Sequence, residues 1–243
     1  MATDIAAFVQ FSDGSFASLL KEGATAETVT SLPTGGAQLN QVSGIEIGQA
    51  YEGKTAVAAS VKVITDDDTS GAFCHAYFLG PDGKVMCPVQ GGGYQTTGVP
   101  NLKKPVMMKP GVTLQAMFDA TGDAVAMASL AVYCTDGTSD VFAVKAVSGT
   151  ATAMVSVKTG QSIGNSLPGK TIQCAYATYS ATKGVNDNGS GISAFYIESS
   201  DGQLKAMYPP SQARTSTSSS PFISLPAGVK ILQNDTATVT AGV

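Results

Sequence analysis

Charged residues are scarce in this chain. They make up 13% of its 243 residues, about half of the roughly 25% that is usual for a globular protein. Lys and Arg number 14 against 18 Asp and Glu, which leaves a net charge of −4. Because no basic field exists to collect phosphates, we do not expect nucleic acid as a partner.

Long apolar runs are also missing. No stretch approaches the 18 consecutive apolar residues that a membrane-spanning helix needs. The first residues, Met1 to Ile5, lack the basic region and apolar stretch of a secretory signal. We therefore expect no membrane partner and folding in a cytoplasm.

Histidine and cysteine are too few for the usual catalytic and zinc sites. His75 is the only histidine, and Cys74, Cys87, Cys134 and Cys174 show no CxxC spacing. His75 lies within an alternating run, as a hydrogen-bonded strand histidine would. The cysteines are expected to be buried thiols. The chain is therefore predicted to be no enzyme, with no catalytic residue, no cofactor and no metal site.

What the chain does contain is an internal repeat with a period of about 120 residues. Four features recur in the same order, at offsets between 116 and 123. The matches are Val9–Ser15 with Val132–Thr138, Gly53–Thr55 with Gly169–Thr171, Ser70–Met86 with Ser190–Met207, and Pro110–Val112 with Pro226–Val229. We predict two tandem units, 1–122 and 123–243, each large enough for its own core.

Within each copy the apolar residues alternate with a period of two, which predicts β-strands. Phe16–Glu22 and its counterpart Ser139–Lys145 are both expected to be strands. Four Asp-Gly dipeptides, two in each copy, predict type I′ hairpin turns. The turn at Asp82-Gly83 would place Cys87 opposite Phe78. We expect seven or eight strands per copy and an all-β fold of two duplicated antiparallel β-sandwich, jelly-roll-like units.

A formal match to the phosphate-binding loop occurs twice, at Gly48–Thr55 and at Gly164–Thr171. That loop needs a helix that starts at its lysine, so that the amide groups of the helix can surround the phosphates. Here each lysine is followed by residues typical of a strand. We interpret both copies as a turn that enters a strand.

An oxygen-rich segment precedes the same predicted strand in both copies. Carboxylate and amide oxygens of this kind are ligands that calcium accepts, but Asn and Asp are also common turn formers. The sequence leaves both readings open. The candidates for a calcium site are Asp66, Asp67, Asp68, Asn186, Asp187 and Asn188.

In its duplicated, charge-poor β units the chain resembles β-sandwich structural proteins of virus particles. These are the tandem jelly-roll capsid proteins and the decoration or cement proteins of phage heads. The resemblance implies a non-enzymatic component of the virion that self-associates and binds other capsid subunits. Low charge reduces the cost of burying polar surface against such neighbours. Because basic residues are few, a place on the outer shell fits better than one against packaged nucleic acid.

A second interpretation is a carbohydrate-binding or adhesin-like β module. Such a module would use exposed aromatic side chains, for which Tyr94, Tyr179 and Tyr208 are the candidates. The absence of tryptophan argues against it.

Overall fold

The computed structural model describes residues 3–24, 29–32, 34, 44–65, 73–89, 99–119, 127–145, 152–180, 192–208, 218–219 and 223–241. The chain divides into two compact units, unit 1 (Met1–Thr121) and unit 2 (Gly122–Val243). All described strand pairs are antiparallel, and the described helices are two single turns. The prediction of an all-β chain is confirmed, and the fold is β-sandwich-like.

The described residues of unit 1 form two sheets of four strands. Their orders are β2-β1-β4-β7 and β3-β8-β5-β6. The elements are β1 (Thr3–Phe11), β2 (Phe16–Ala24), β3 (Val29–Ser31), α1 (Ile47–Ala50), β4 (Thr55–Thr65), β5 (Phe73–Leu79), β6 (Val85–Val89), β7 (Asn101–Met107) and β8 (Thr113–Asp119).

Unit 2 follows the same order of elements, with one additional short strand. They are β9 (Met127–Cys134), β10 (Ser139–Lys145), β11 (Thr152–Ser156), α2 (Ile163–Ser166), β12 (Thr171–Ser180), β13 (Ile192–Glu198), β14 (Leu204–Tyr208), β15 (Ser218–Ser219), β16 (Ile223–Lys230) and β17 (Thr236–Ala241). The predicted strands at Phe16–Glu22 and Ser139–Lys145 are confirmed as β2 and β10.

Each of the six strand pairings described for unit 1 has a counterpart in unit 2. The hairpin β1-β2 corresponds to β9-β10, and the pairs β1-β4 and β4-β7 correspond to β9-β12 and β12-β16. In the other sheet, the row β3-β8-β5-β6 corresponds to β11-β17-β13-β14. Unit 2 adds a short ladder between β10 and β11 that joins its two rows.

Alternation along β1 shows how the core is built. Ile5, Ala7, Val9 and Phe11 are buried, whereas Phe8 on the opposite face is exposed. This pattern is typical of an antiparallel sheet with one face on the core. In unit 2, β9 is buried on both faces, because Ser129, Ala131 and Tyr133 are buried as well as its core residues. The core of unit 2 is formed by Leu130, Val132, Phe142, Ile163, Phe195, Val239 and their neighbours.

The four Asp-Gly hairpins share one geometry, and it is not the predicted type I′. In each, the glycine has positive φ, but the aspartate before it does not, whereas type I′ needs positive φ at both. In the turn at Gly80–Lys84, Gly83 N–H donates to Gly80 O and Gly80 N–H donates to Lys84 O. This is a type I turn followed by a glycine bulge, and Pro81 suits its second position. The predicted register of Phe78 opposite Cys87 is confirmed.

One match of the predicted repeat was wrong, and another was shifted at its end, because the register equates Met86 with Lys205 and not with Met207. Pro226–Val229 lies within β16 and does not correspond to Pro110–Val112. The hydrogen bonds identify the true counterpart, because Gly48 N–H donates to Val112 O and Gly164 N–H donates to Asp235 O. The turn before the last strand therefore holds Gly111 in unit 1 and Asn234 in unit 2, both with positive φ. Asn replaces Gly there because it tolerates the left-handed region.

Candidate functional site

The two Gly-Lys-Thr motifs are turns that enter a strand, as the sequence predicted. The single-turn helices α1 and α2, which the sequence analysis missed, precede the lysines instead of beginning at them. Thr55 and Thr171 start β4 and β12 directly after the lysines. No run of helical amide groups follows either lysine, so neither motif has the geometry of a phosphate-binding loop.

Each motif lysine holds the first hairpin of its unit. Lys54 Nζ lies 3.0 Å from Asp13 Oδ2 and donates to Ser15 Oγ at 2.7 Å. Lys170 Nζ lies 2.6 Å from Asp136 Oδ2. Hydrogen bonds from the hydroxyl and the N–H of Ser15, and next from the ammonium of Lys54, lower the pKa of Asp13. Lys170 is the main cause of the lowered pKa of Asp136. Each lysine therefore connects the Asp-Gly turn of the first hairpin with the start of β4 or β12 by an ion pair.

The first glycine of each motif is required by close packing. A Cβ at Gly48 would lie 2.2 Å from Lys109 O, and a Cβ at Gly164 would lie 2.3 Å from Asp235 N. No side chain fits at these distances. The repeated motif thus consists of residues that connect the short helix, the hairpin and the turn before the last strand.

Most of the side chains that the sequence singled out for binding lie outside the described residues. This holds for all six calcium candidates and for Tyr94, whereas Tyr179, Tyr208, His75 and Cys74 have described backbone only. Among the described residues, no group of three His, Cys, Asp or Glu side chains could hold a metal ion. Within the same ranges, no helix has the length and apolarity to cross a membrane.

Three of the cysteines have described side chains. Cys87, Cys134 and Cys174 are buried and form no disulfide with one another. Burial, and next the negative charge of Asp136, raise the pKa of Cys134 to about 12. A thiol with such a pKa is a poor nucleophile at neutral pH.

A buried carboxylate in unit 2 was missed by the sequence analysis. Asp140 on β10 is buried, and it accepts hydrogen bonds from Val141 N–H at 2.8 Å and Ser156 Oγ at 3.1 Å. Burial raises its pKa, against the hydrogen bonds from Val141, Ser156 and Ser166. Through Ser156 this cluster connects β10 with β11, where unit 2 has its additional ladder. Apolar alternation gives no signal for such a residue.

An ion pair in unit 2 connects β14 with the turn before β17. Lys205 Nζ lies 2.6 Å from Asp235 Oδ2, and the two side chains are 19% and 1% exposed. Leu232 N–H donates to the same carboxylate oxygen at 2.7 Å. By strand register and turn hydrogen bonds, the counterparts in unit 1 are Met86 and Val112. The charged pair is therefore particular to unit 2.

The most distinctive surface of the described chain is the edge strand β14. Leu204 and Met207 on this strand are 55% and 56% exposed, and Leu232 beside the ion pair is 52% exposed. We call these three side chains, with the outer edge of β14, the β14 patch. In unit 1 the counterparts of Leu204 and Met207 are the buried Val85 and Pro88. The patch can bury apolar surface, which is the chemistry of an assembly contact.

Comparison of the chain with protein-family models, with curated proteins and with solved structures found no match.

Proposed function

We propose that this chain is a non-enzymatic structural protein of a virion, a capsid-shell or head decoration component. It would be made in the host cytoplasm and would bind copies of itself and other capsid subunits. Neither nucleic acid nor a membrane is among the proposed partners. The support comes from strand order, from charge and from the exposed apolar side chains.

Strand order is the observation that carries the proposal. In a jelly roll of eight strands, one sheet holds strands one, eight, three and six, and the other holds two, seven, four and five. When β2 is counted as the first strand and β1 as the eighth, the two sheets of unit 1 have this order. Counting from β10 to β9, with β16 as the sixth, gives the same order in unit 2. Each unit would be a circularly permuted jelly roll, since its chain begins with the eighth strand of this count and ends with the seventh.

We propose further that the two jelly rolls arose by duplication. The four equivalent hairpins and the two Lys-Asp pairs support a common origin. Jelly rolls occur in viral capsids and also in lectins, so fold alone gives only an analogy. The low share of charge, 13%, favours close-packed assembly.

Exposed apolar side chains add a second line of support. Besides the β14 patch, Phe8 and Phe16 are exposed on one face of the β1-β2 hairpin, where they are diagonal neighbours. Large apolar side chains clustered on a surface are typical of contacts with other proteins. In a shell, many weak contacts of this kind reinforce each other.

The test is sedimentation with particles. An antibody raised against the purified chain would be used on gradient fractions of nuclease-treated virus preparations from the source. We expect the chain to sediment with intact particles, and negative-stain images of the purified chain to show trimers, rings or shells. A chain found only at the top of the gradient as a monomer would contradict the proposal. If that monomer bound a glycan array, the carbohydrate-binding interpretation would replace it.

A further inference from the structure

We propose that the outer edge of β14 pairs with β14 of a second copy of this chain. The pairing would extend the row β11-β17-β13-β14 across a two-fold axis. This inference rests on the proposed assembly function and names one of its contacts. It also distinguishes the two units, because the corresponding edge of unit 1 cannot pair in this way.

The edge of β14 is open in the described part of the chain. β14 pairs with β13 on one side, and no described strand pairs with its other side. β16 approaches β14 without forming a ladder with it. An edge strand of this kind presents backbone donors and acceptors to a new strand. Leu204 and Met207, both more than half exposed, would be covered by that strand.

The equivalent edge strand in unit 1, β6, is protected. The register places Pro88 opposite Tyr77, as Met207 lies opposite Tyr196. Proline has no N–H to offer a new strand, which is a common way of blocking a sheet edge. Because the β5-β6 ladder accommodates proline at this position, it needs no N–H there. By the same register, the N–H of Met207 points away from β13 and towards the open side.

The charge that would normally protect such an edge is neutralised. Lysine on an edge strand discourages pairing because its charge would be buried. Lys205 is the only charged residue of β14, and Asp235 Oδ2 lies 2.6 Å from its Nζ. The carboxylate is 1% exposed, so the lysine is held against the body of unit 2. At the position of Leu232, unit 1 has the exposed Lys109.

A second copy is the occupant that this edge fits. The β14 patch is apolar and carries no unbalanced charge, so it complements an identical patch. A two-fold axis at Ala206 would place Lys205 of one copy opposite Met207 of the other, which avoids a pair of like charges. The small side chain of Ala206 would lie at the axis. Because a two-fold contact uses the same edge on both copies, the pairing closes as a dimer and does not continue as a fibre.

The experiment compares the full-length chain with Met207→Pro by light scattering coupled to size exclusion over a range of concentrations. The substitution copies the residue that unit 1 has at this position, so β14 should keep its pairing with β13. We expect the dimer dissociation constant to rise by at least about tenfold. Met207→Ala keeps the N–H and should weaken the dimer less. Circular dichroism and thermal melts confirm that each variant is folded.

Met107→Lys is the matched control, since it places a charge on an exposed apolar position of β7 in unit 1, where Met107 is 60% exposed. This variant should dimerise like the wild type. The inference is overturned if the wild type stays monomeric, or if Met207→Pro dimerises unchanged. Loss of the dimer in Met107→Lys alone would assign the contact to β7 of unit 1 and would also overturn the inference. In these cases the chain can still sediment with particles, so the proposed function is judged separately.

Discussion

At the scale of single residues, polar groups in unit 2 occupy positions that are apolar in unit 1. Asp140 corresponds to the buried Ala17, and Lys205 and Asp235 correspond to Met86 and Val112. A buried carboxylate costs free energy unless it has partners. Each of these two carboxylates does have partners, but of different kinds. Asp140 accepts hydrogen bonds from neutral groups, and Asp235 is paired with a cation.

The raised pKa of Asp140 makes the stability of unit 2 depend on pH. In the folded state Asp140 holds its proton more tightly than in the unfolded state, where its pKa is about 3.9. Folding is therefore favoured at low pH, and this contribution is lost as the pH rises through the folded pKa. In Asp140→Asn the amide oxygen can still accept the hydrogen bonds from Val141 and Ser156, but the side chain does not titrate. We therefore expect this variant to keep its stability as the pH rises.

The measurement is the melting temperature of variant and wild type from about pH 4 to pH 8. The difference, variant minus wild type, should grow with pH and then become constant. Groups that are common to both proteins cancel in this difference. A difference that is the same at every pH would show that Asp140 titrates normally.

Removing one partner of the pair Lys205–Asp235 should destabilise unit 2, whereas replacing both partners by apolar residues should change its stability little. Lys205→Met alone leaves a carboxylate buried without its cation, for which we expect a loss of about 3 kcal/mol in the free energy of unfolding. The double variant Lys205→Met with Asp235→Val copies the unit 1 pair and should recover most of this loss. Urea denaturation of the single and double variants measures the coupling. Strictly additive losses would contradict this expectation.

At the scale of elements, the short helices α1 and α2 pack against the turn before the last strand of their units. Gly48 and Gly164 donate to Val112 O and Asp235 O, and neither position has room for a Cβ. Lys54 and Lys170, which follow these helices, form ion pairs with the first hairpin of their units. This junction of helix, hairpin and turn is built in the same way in both units.

We expect Gly164→Ala to destabilise unit 2 by about 2 to 3 kcal/mol, because its Cβ would force backbone atoms apart. Asn165→Ala, at an exposed neighbour in the same helix, is the control and should change stability little. Chemical denaturation of the full chain measures both. Equal behaviour of the two variants would show that the turn can move away.

For the Asp-Gly hairpins, the sequence predicted the position of each turn correctly but its turn type incorrectly. The dipeptide indicated the right place for the turn in all four cases. In two described turns of unit 1 and one of unit 2, the aspartate accepts a hydrogen bond from the N–H two residues later, as Asp82 does from Lys84 at 3.2 Å. This local bond stabilises the aspartate in a right-handed conformation, which leaves the positive φ to the glycine alone.

At the scale of the whole molecule, two units with the same strand pairing differ in their surfaces. Unit 1 exposes Phe8 and Phe16 on one hairpin, whereas their counterparts in unit 2, Ala131 and Ser139, are buried. Unit 2 instead exposes the β14 patch. If the chain is a shell component, its two units would therefore contact different neighbours. A shell subunit with two similar folds could then bridge dissimilar partners.

The sequence by itself determined the fold class, the two hairpins of each unit and most of the positions that correspond between the units. These depend on alternation of apolar residues and on Asp-Gly turns, which act over a few residues. It also predicted that Gly48–Thr55 is a turn that enters a strand, since strand residues follow the lysine. The match at Pro226–Val229 failed because Pro and Gly also occur inside β16.

Tertiary structure alone decided which strands are neighbours, and with them the contacts on which the proposed dimer depends. Lys205 and Asp235 are 30 residues apart, which is farther than local sequence patterns reach. Only the packing of β14 beside the turn before β17 brings Lys205 Nζ within 2.6 Å of Asp235 Oδ2. That no described strand pairs with the outer side of β14 is likewise a property of the sheet. A strand is an edge because nothing pairs with one side of it, and no local pattern of residues records that.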